Sequence, residues 1–363
     1  MKKQKVAIVY DRVNKWGGAE RVLLALHEIF PEAPLYTSLY DKNKASWAKI
    51  FPKINTSFLQ KFPFAKSNHE FLPLLMPIAF QSFDFNEFDI VISVTSEAAK
   101  GIKIPSKTIH ISYILTPTRY LWSHHKEYFK NPALKFIAKP IVEYLRKWDK
   151  DAAAQPTEIV AISKEVQNRV KKYYNRESVI IFPPVSTTLI HINRVKNPKY
   201  YLIVSRLDYG YKKVELAIEA FNQTGKNLVI VGAGREKKKL EKMAKKNIKF
   251  VGHVSEKKLA TYYHGAKALI MPQEEDFGIV SVEAQAHRVP VIAFKKGGAI
   301  DTVIPGKTGI FFDYQKPESL IEAINKFEKM KFVSKNLSMN AKKFSKKNFK
   351  IRLLALVNKY NRI

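Results

Sequence analysis

Apolar positions along the chain fall into short β-branched runs separated by stretches of helical spacing, the rhythm of parallel α/β units. In the first half, Val6–Tyr10, Asp89–Val94, Thr108–Tyr113, Glu158–Ile162 and Val179–Phe182 read as buried strands. Ala19–Phe30 carries Val22, Leu23, Leu26, Ile29 and Phe30 on one helical face, and Pro31 ends it. In the second half the rhythm tightens. Strands are predicted at Tyr201–Ser205, Leu228–Val231, Lys249–Val251, Ala268–Met271, Val289–Ala293 and Gly309–Phe312, with helices between them. Pro183-Pro184-Val185-Ser186 and the polar stretch to Lys199 read as a linker. The expected division is a first domain over 1–195, a second over 196–345, and a C-terminal helix over 346–363 that packs back on the first domain. The fold class is α/β, with two Rossmann-like, doubly wound parallel-sheet domains. Sheets of this kind bind ligands at their strand C-termini, so two facing ones would put those ends on the walls of one cleft.

Composition narrows the field. The 363 residues are 46% hydrophobic and 26% charged, values of an ordinary globular chain rather than a disordered one. The greasiest run, Leu72–Phe80, is far short of a bilayer span and holds Pro73 and Pro77. Met1–Lys5 leads straight into a strand-like run, which is not the pattern of a signal peptide, and cytoplasmic residence is expected. With no cysteine, thiol nucleophiles, disulfides and thiolate metal sites are excluded.

Charge changes the picture more. Lys and Arg number 63 against 32 acids, a formal net charge of +31 that attracts polyanions: nucleic acid, an anionic membrane or a phosphate-bearing substrate. The basic residues are scattered and match no nucleic-acid module, so no specific nucleic-acid partner is expected. One segment stands apart. From Lys126 to Lys150, Lys130, Lys135, Lys139, Arg146 and Lys147 interleave with Phe129, Leu134, Phe136, Ile137, Ile141, Tyr144, Leu145 and Trp148. Phe64, Phe71, Leu72, Leu74, Leu75 and Met76 add to the same half. Most of these apolar residues suit a core, and the pattern as a whole suits an interfacial surface.

Three motifs follow predicted strands. Gly17-Gly18, after Val6–Tyr10, opens a helix where backbone N–H groups attract phosphate, although such a pair is also an ordinary turn. Ser205-Arg206-Leu207-Asp208-Tyr209-Gly210-Tyr211-Lys212 offers a planar fork and a point charge to a diphosphate. Glu274-Glu275-Asp276-Phe277-Gly278-Ile279 precedes a helix that carries Glu283. Carboxylates there suit vicinal hydroxyls, and the helix start suits phosphate. Macrodipole preference alone would account for Glu275 and Asp276 but poorly for Glu283. Val231-Gly232-Ala233-Gly234 looks like the opening of a dinucleotide fingerprint, but Lys237 occupies the place of its third glycine.

Taken in order, Gly17–Thr37, Ser205–Phe221 and Glu274–Gly298 resemble the retaining glycosyltransferases of family 4, over nearly the whole chain. The match is nearest the bacterial branch that acts on surface polysaccharides, often with a mannosyl donor. The resemblance implies the GT-B fold and transfer of a hexose from a nucleotide diphosphate sugar, a GDP-sugar such as GDP-mannose before a UDP-sugar. The acceptor would be a glycan or polyprenyl-linked molecule, reached at the inner face of an anionic membrane. It implies that Arg206 and Lys212 bind the donor diphosphate, Glu275 the sugar hydroxyls and Glu283 the ribose. Main-chain N–H groups of Phe277, Gly278 and Ile279 would bind phosphate, Gly17 and Gly18 would floor the site, and Gly252, His253 and Val254 would meet the base.

Arg206, Lys212 and Glu275 would carry catalysis, and Arg119, Tyr120 and Trp122 are the acceptor candidates. No metal ligand set and no cofactor are implied. Two positions depart from the family pattern: Leu115 stands where relatives carry a histidine, and Ser123 where they carry an aspartate. His124 and His125 are candidates to compensate, or form a surface pair. The rival readings are a noncatalytic sugar-nucleotide binder and a basic nucleic-acid-binding protein.

Overall fold

The computed structural model describes residues 4–62, 72–129, 131–187, 195, 197–208 and 210–360. Phe64, Phe71, Lys130 and Tyr209 of the segments above lie outside the described residues, as does most of the polar stretch after the prolines. The chain forms two compact units, Met1–Pro184 with Phe349–Ile363, and Val185–Asn348.

The N-terminal unit holds a seven-stranded parallel sheet of β1 (Val6–Tyr10), β2 (Leu35–Thr37), β3 (Ile54–Thr56), β4 (Ile90–Thr95), β5 (Ile109–Ile114), β6 (Glu158–Ala161) and β7 (Val179–Ile180). Its spatial order is β3-β2-β1-β4-β5-β6-β7, so the order reverses beside β1, a switch point at which open α/β sheets take ligands. Three helices of this unit matter below: α1 (Gly18–Ile29), α2 (Pro132–Ala154) and α3 (Lys164–Tyr174). β2 and β3 were not anticipated. Each is three residues long, and Pro31, Pro34 and Pro52 break the apolar pattern around them.

The C-terminal unit holds β8 (Tyr200–Val204), β9 (Leu228–Val231), β10 (Ile248–Gly252), β11 (Ala266–Met271), β12 (Val291–Phe294) and β13 (Gly309–Phe312), all parallel, in the order β10-β9-β8-β11-β12-β13. All six strands occur where the apolar runs predict them. Strand alternation divides the core: Tyr201 and Ile203 face one buried cluster, Leu202 and Val204 the other. The site helices are α4 (Val214–Thr224), α5 (Glu256–Gly265) and α6 (Ile279–Ala286).

The division between the units falls at Pro184–Val185 rather than near 195. The reason is local: Val185 N donates to Phe344 O at 2.9 Å and the residue bridges Ser345, so the chain joins the second unit as soon as the prolines end. The last helix, α7 (Lys346–Lys359), gives Phe349 onward to the first unit. There Phe349 packs on Tyr113 at 5.9 Å, Lys350 pairs with Glu28 at 2.6 Å, and the Tyr360 hydroxyl donates to Glu158 at 2.9 Å.

Candidate functional site

The loops at the strand C-termini of the C-terminal unit are stitched to one another mainly through backbone. After β8, Leu207 N donates to Ala233 O at 2.8 Å. After β9, Gly232 N donates to Gly252 O at 2.9 Å. After β12, Gly298 N donates to Glu275 O at 2.7 Å. Glycine makes these approaches possible. A Cβ on Gly232 would stand 1.8 Å from Ser205 O, and one on Gly234 2.2 Å from the Leu207 carbonyl carbon. The Gly-Ala-Gly run that looked like part of a dinucleotide fingerprint is therefore the seam between two loops. Gly297 and Gly298 do the same for the acidic segment: their Cβ atoms would fall 2.3 Å from Glu275 O and 2.3 Å from Phe277 Cα. Sequence reading gave these two no role, although the doublet before a helix was a visible signal.

The stitched loops bring several predicted residues together. Lys212, at the end of a single 3-10 turn, donates its ammonium to Glu275 Oε1, which also accepts from Gln273 Nε2 at 3.0 Å. Both side chains of the pair are largely buried, at 11% and 18% exposure. A desolvated pair of this kind holds each partner in one place, and a diphosphate would compete with Glu275 for the ammonium. Gly278 caps α6 with φ +83°, a conformation that glycine reaches freely, and no side chain caps the helix. The first N–H groups of α6, from Ile279 onward, are thus aligned for an anion. Phe277 is buried, its ring 5.5 Å from Phe344. A buried polar cluster ties α6 down behind them. Thr302 Oγ1 donates to Ser281 Oγ at 3.0 Å, Gln285 Nε2 to Thr302 O at 2.8 Å, and Asn340 Nδ2 to Gln285 Oε1 at 2.8 Å.

Arg206 is exposed at the start of the loop after β8, as is His253 after β10, while Gly252 and Val254 are half-buried. Gly252 has φ +80° and open space around its Cα. Glu283 lies within α6, where its Oε2 accepts from the Tyr263 hydroxyl at 3.2 Å.

The first unit organises its strand ends differently. Asp11, buried after β1, accepts from Thr95 Oγ1 and from the main-chain N–H groups of Ser96, Glu97, Ala98 and Ala99 at 2.6–3.1 Å. Burial, and then Glu97, raise its pKa despite those donors. Asp149 of α2 is a second hub, accepting from Lys100 Nζ at 2.6 Å, Thr118 Oγ1 at 2.9 Å, Trp122 Nε1 at 2.7 Å and the Tyr174 hydroxyl at 2.8 Å. Neither hub was read from sequence.

The acceptor candidates are placed accordingly. Trp122 gives its indole N–H to Asp149 and stacks on Tyr173 at 5.1 Å, so it braces α2. Arg119 and Tyr120 are half-buried beside it, and burial drives the Tyr120 hydroxyl far above its ordinary pKa. His124 Nδ1 lies 2.8 Å from Ser123 Oγ and His125 Nδ1 3.0 Å from Tyr120 O, so both rings belong to this loop's own bonding. Leu115 is half-buried, its N–H bonded to Thr95 O at 2.8 Å. Gly17 is extended and so needs no special backbone freedom. A Cβ there would stand 3.1 Å from Glu20 Oε2, a carboxylate whose Oε1 accepts from Tyr10 at 2.8 Å. Gly18 is the exposed first residue of α1. Among the described residues, no cluster of three or more His, Cys, Asp or Glu side chains is arranged to hold a metal ion.

Residues 185–344, nearly the whole C-terminal unit, match the family model of glycosyl transferases group 1. Among curated relatives, the chain is 28% identical over 207 residues to an uncharacterized glycosyltransferase of Methanocaldococcus jannaschii, covering 56% of this chain and 58% of that protein. It is 31% identical over 109 residues to the capsular polysaccharide biosynthesis glycosyltransferase CapM of Staphylococcus aureus, 30% of this chain and 28% of the relative. The chain thus spans little more than half the length of the first of these and less of the second. Among solved structures, Anabaena HepE in complex with UDP-glucose superposes with a TM-score of 0.72 at 17% identity, over 98% of this chain and 100% of that one. The fold is that of the GT-B glycosyltransferases, two Rossmann-like parallel-sheet domains.

Proposed function

We propose that the protein is a retaining, metal-independent glycosyltransferase that moves a hexose from a nucleotide diphosphate sugar to a glycan or polyprenyl-linked acceptor in cell-surface polysaccharide synthesis. The observation that carries this reading is the Lys212–Glu275 pair set beside the glycine-capped start of α6, inside the segment that matches the family model. Arg206 and Lys212 supply cationic donors, and the α6 start supplies oriented N–H groups. Together they would stabilise the negative charge that grows on the departing diphosphate, the task a divalent metal performs elsewhere. Glu275, fixed by Lys212 and Gln273, would accept from the sugar hydroxyls. Mannose from GDP-mannose is the first donor to test, and UDP-glucose, the ligand of HepE, is the second.

α2 supports a membrane-facing acceptor. Its inner face buries Val142 and Leu145, yet Ile137, Ile141 and Tyr144 form a second apolar stripe at i, i+4, i+7 that is exposed, Ile137 at 70%, with Lys147 flanking it. No helix among the described residues is long and apolar enough to cross a membrane. An anionic lipid surface would receive both the stripe and Lys147.

The reading is tested by calorimetric titration with GDP-mannose, GDP, UDP-glucose and UDP in EDTA. One series should bind, and Arg206→Ala should weaken it about tenfold to a hundredfold, the worth of a charge-assisted hydrogen bond. Binding by none of the four would sink the donor assignment. Donor binding without transfer to any acceptor would favour the noncatalytic alternative.

A further inference from the structure

Glu283 is not held by its own helix alone. Tyr263 of α5, 1% exposed, donates its hydroxyl to Glu283 Oε2 at 3.2 Å. His287 follows Glu283 by four residues, so the two side chains share a helix face. Its ring lies flat on that of Tyr263, at 5.1 Å and 13°. His264, next to Tyr263 in sequence and 4% exposed, closes the assembly with Nε2 at 2.9 Å from His287 Nδ1. Two elements that flank β11 are therefore joined by one hydroxyl–carboxylate bond, one ring stack and one imidazole pair. Core packing would be served equally by phenylalanine at 263; the hydroxyl aimed at Glu283 is what packing does not require.

Recognition of a vicinal diol by a carboxylate depends on the plane of the carboxylate, because both diol hydroxyls must donate along its lone-pair directions. An unanchored glutamate rotates about its terminal torsion, which has no sharp minima. We infer that Tyr263, backed by the His287–His264 pair, is a positioning residue that fixes the Glu283 carboxylate for the two ribose hydroxyls of the nucleotide, and so sets preference for ribo- over deoxyribonucleotides. This rests on the assignment of Glu283 to the ribose. A neutral imidazole at position 287 serves the arrangement, since an imidazolium one turn from Glu283 would draw the carboxylate to itself. Burial, then His264, lower the His287 pKa to about 4 and keep the ring neutral at ordinary pH.

The test measures the dissociation constants of GDP and UDP and of their 2′,3′-dideoxy analogues for wild type, Tyr263→Phe, His287→Gln and Glu283→Gln. Wild type should prefer the ribonucleotide of its series about tenfold or more. Tyr263→Phe should reduce that ratio to below about threefold, and His287→Gln should reduce it by a smaller factor. A Tyr263→Phe protein that keeps the wild-type ratio, while Glu283→Gln loses it, overturns the positioning role and leaves the ribose assignment standing. A Glu283→Gln protein that keeps the ratio overturns the assignment itself. Should Tyr263→Phe fail to fold, the His287→Gln ratio decides: a value equal to wild type overturns the inference.

Discussion

The two units close their strand ends by opposite means. In the C-terminal unit, main chain bonds to main chain and glycines clear the way, as at Gly232, Gly234, Gly297 and Gly298. In the N-terminal unit, buried carboxylates do the work: Asp11 gathers four consecutive N–H groups, and Asp149 gathers four side chains from three segments. The first solution closes the loops without spending the side chains of Lys212, Glu275 and Arg206 on it. The second spends side chains on the closure itself, the Trp122 indole N–H among them.

This contrast can be broken from either side. The largest effect should come from Asp149→Ala, which strands the buried Lys100 ammonium and three further donors. Loss of one partner of a buried pair costs about 3–5 kcal/mol. Urea unfolding should show it, and replacing both partners, Lys100→Met with Asp149→Leu, should recover part of the loss. If Asp149→Ala unfolds within about 1 kcal/mol of wild type, the hub is not what holds these loops.

Gly298→Ala probes the other solution. Its methyl meets Phe277 Cα, so the acidic loop must move, and donor affinity should fall at least tenfold with a smaller change in unfolding free energy of about 1–3 kcal/mol. A variant that binds donor like wild type would show that the loop's position is immaterial.

The last effect appears only on acidification. His110, fully buried in β5, has Nε2 2.8 Å from Ser93 Oγ and no hydrogen-bonding partner at Nδ1 among the described residues. Burial lowers its pKa to about 3. The native ring stays neutral while the unfolded one protonates near pH 6.5. This stability is complete above that pH and is lost as pH falls toward 3, at up to about 1.4 kcal/mol per pH unit. Urea midpoints measured between pH 7 and 4 should therefore fall for wild type and fall less steeply for His110→Gln. His287, only half-buried, adds a smaller loss in the other unit. Parallel slopes for wild type and variant would remove His110 from the account.

The same contrast explains what the sequence made legible. The six strands of the C-terminal unit are continuous apolar runs bounded by breakers, so pattern alone located them, and its candidate site residues sit in short contiguous motifs. The Asp149 hub joins residues 25 to 49 positions apart, with nothing periodic to mark them. The glycine doublets were visible as letters, but which backbone each must pass is a tertiary fact. α2 was legible as basic and apolar. Only the structure divides its apolar residues between a buried face and an exposed one.

The Lys212–Glu275 bond has a consequence for how the donor site meets salt. These two charges cancel within a shielded contact, so this loop does not share in the chain's large positive excess through Lys212. If the proposed site is right, arriving phosphate would find that ammonium already spoken for and exchange one anion for another. Long-range attraction to the donor would then fall to Arg206 and to the helix start. Nucleotide affinity should therefore be only weakly sensitive to ionic strength, far less than adhesion to any polyanion that reads the lysine-rich surface as a whole.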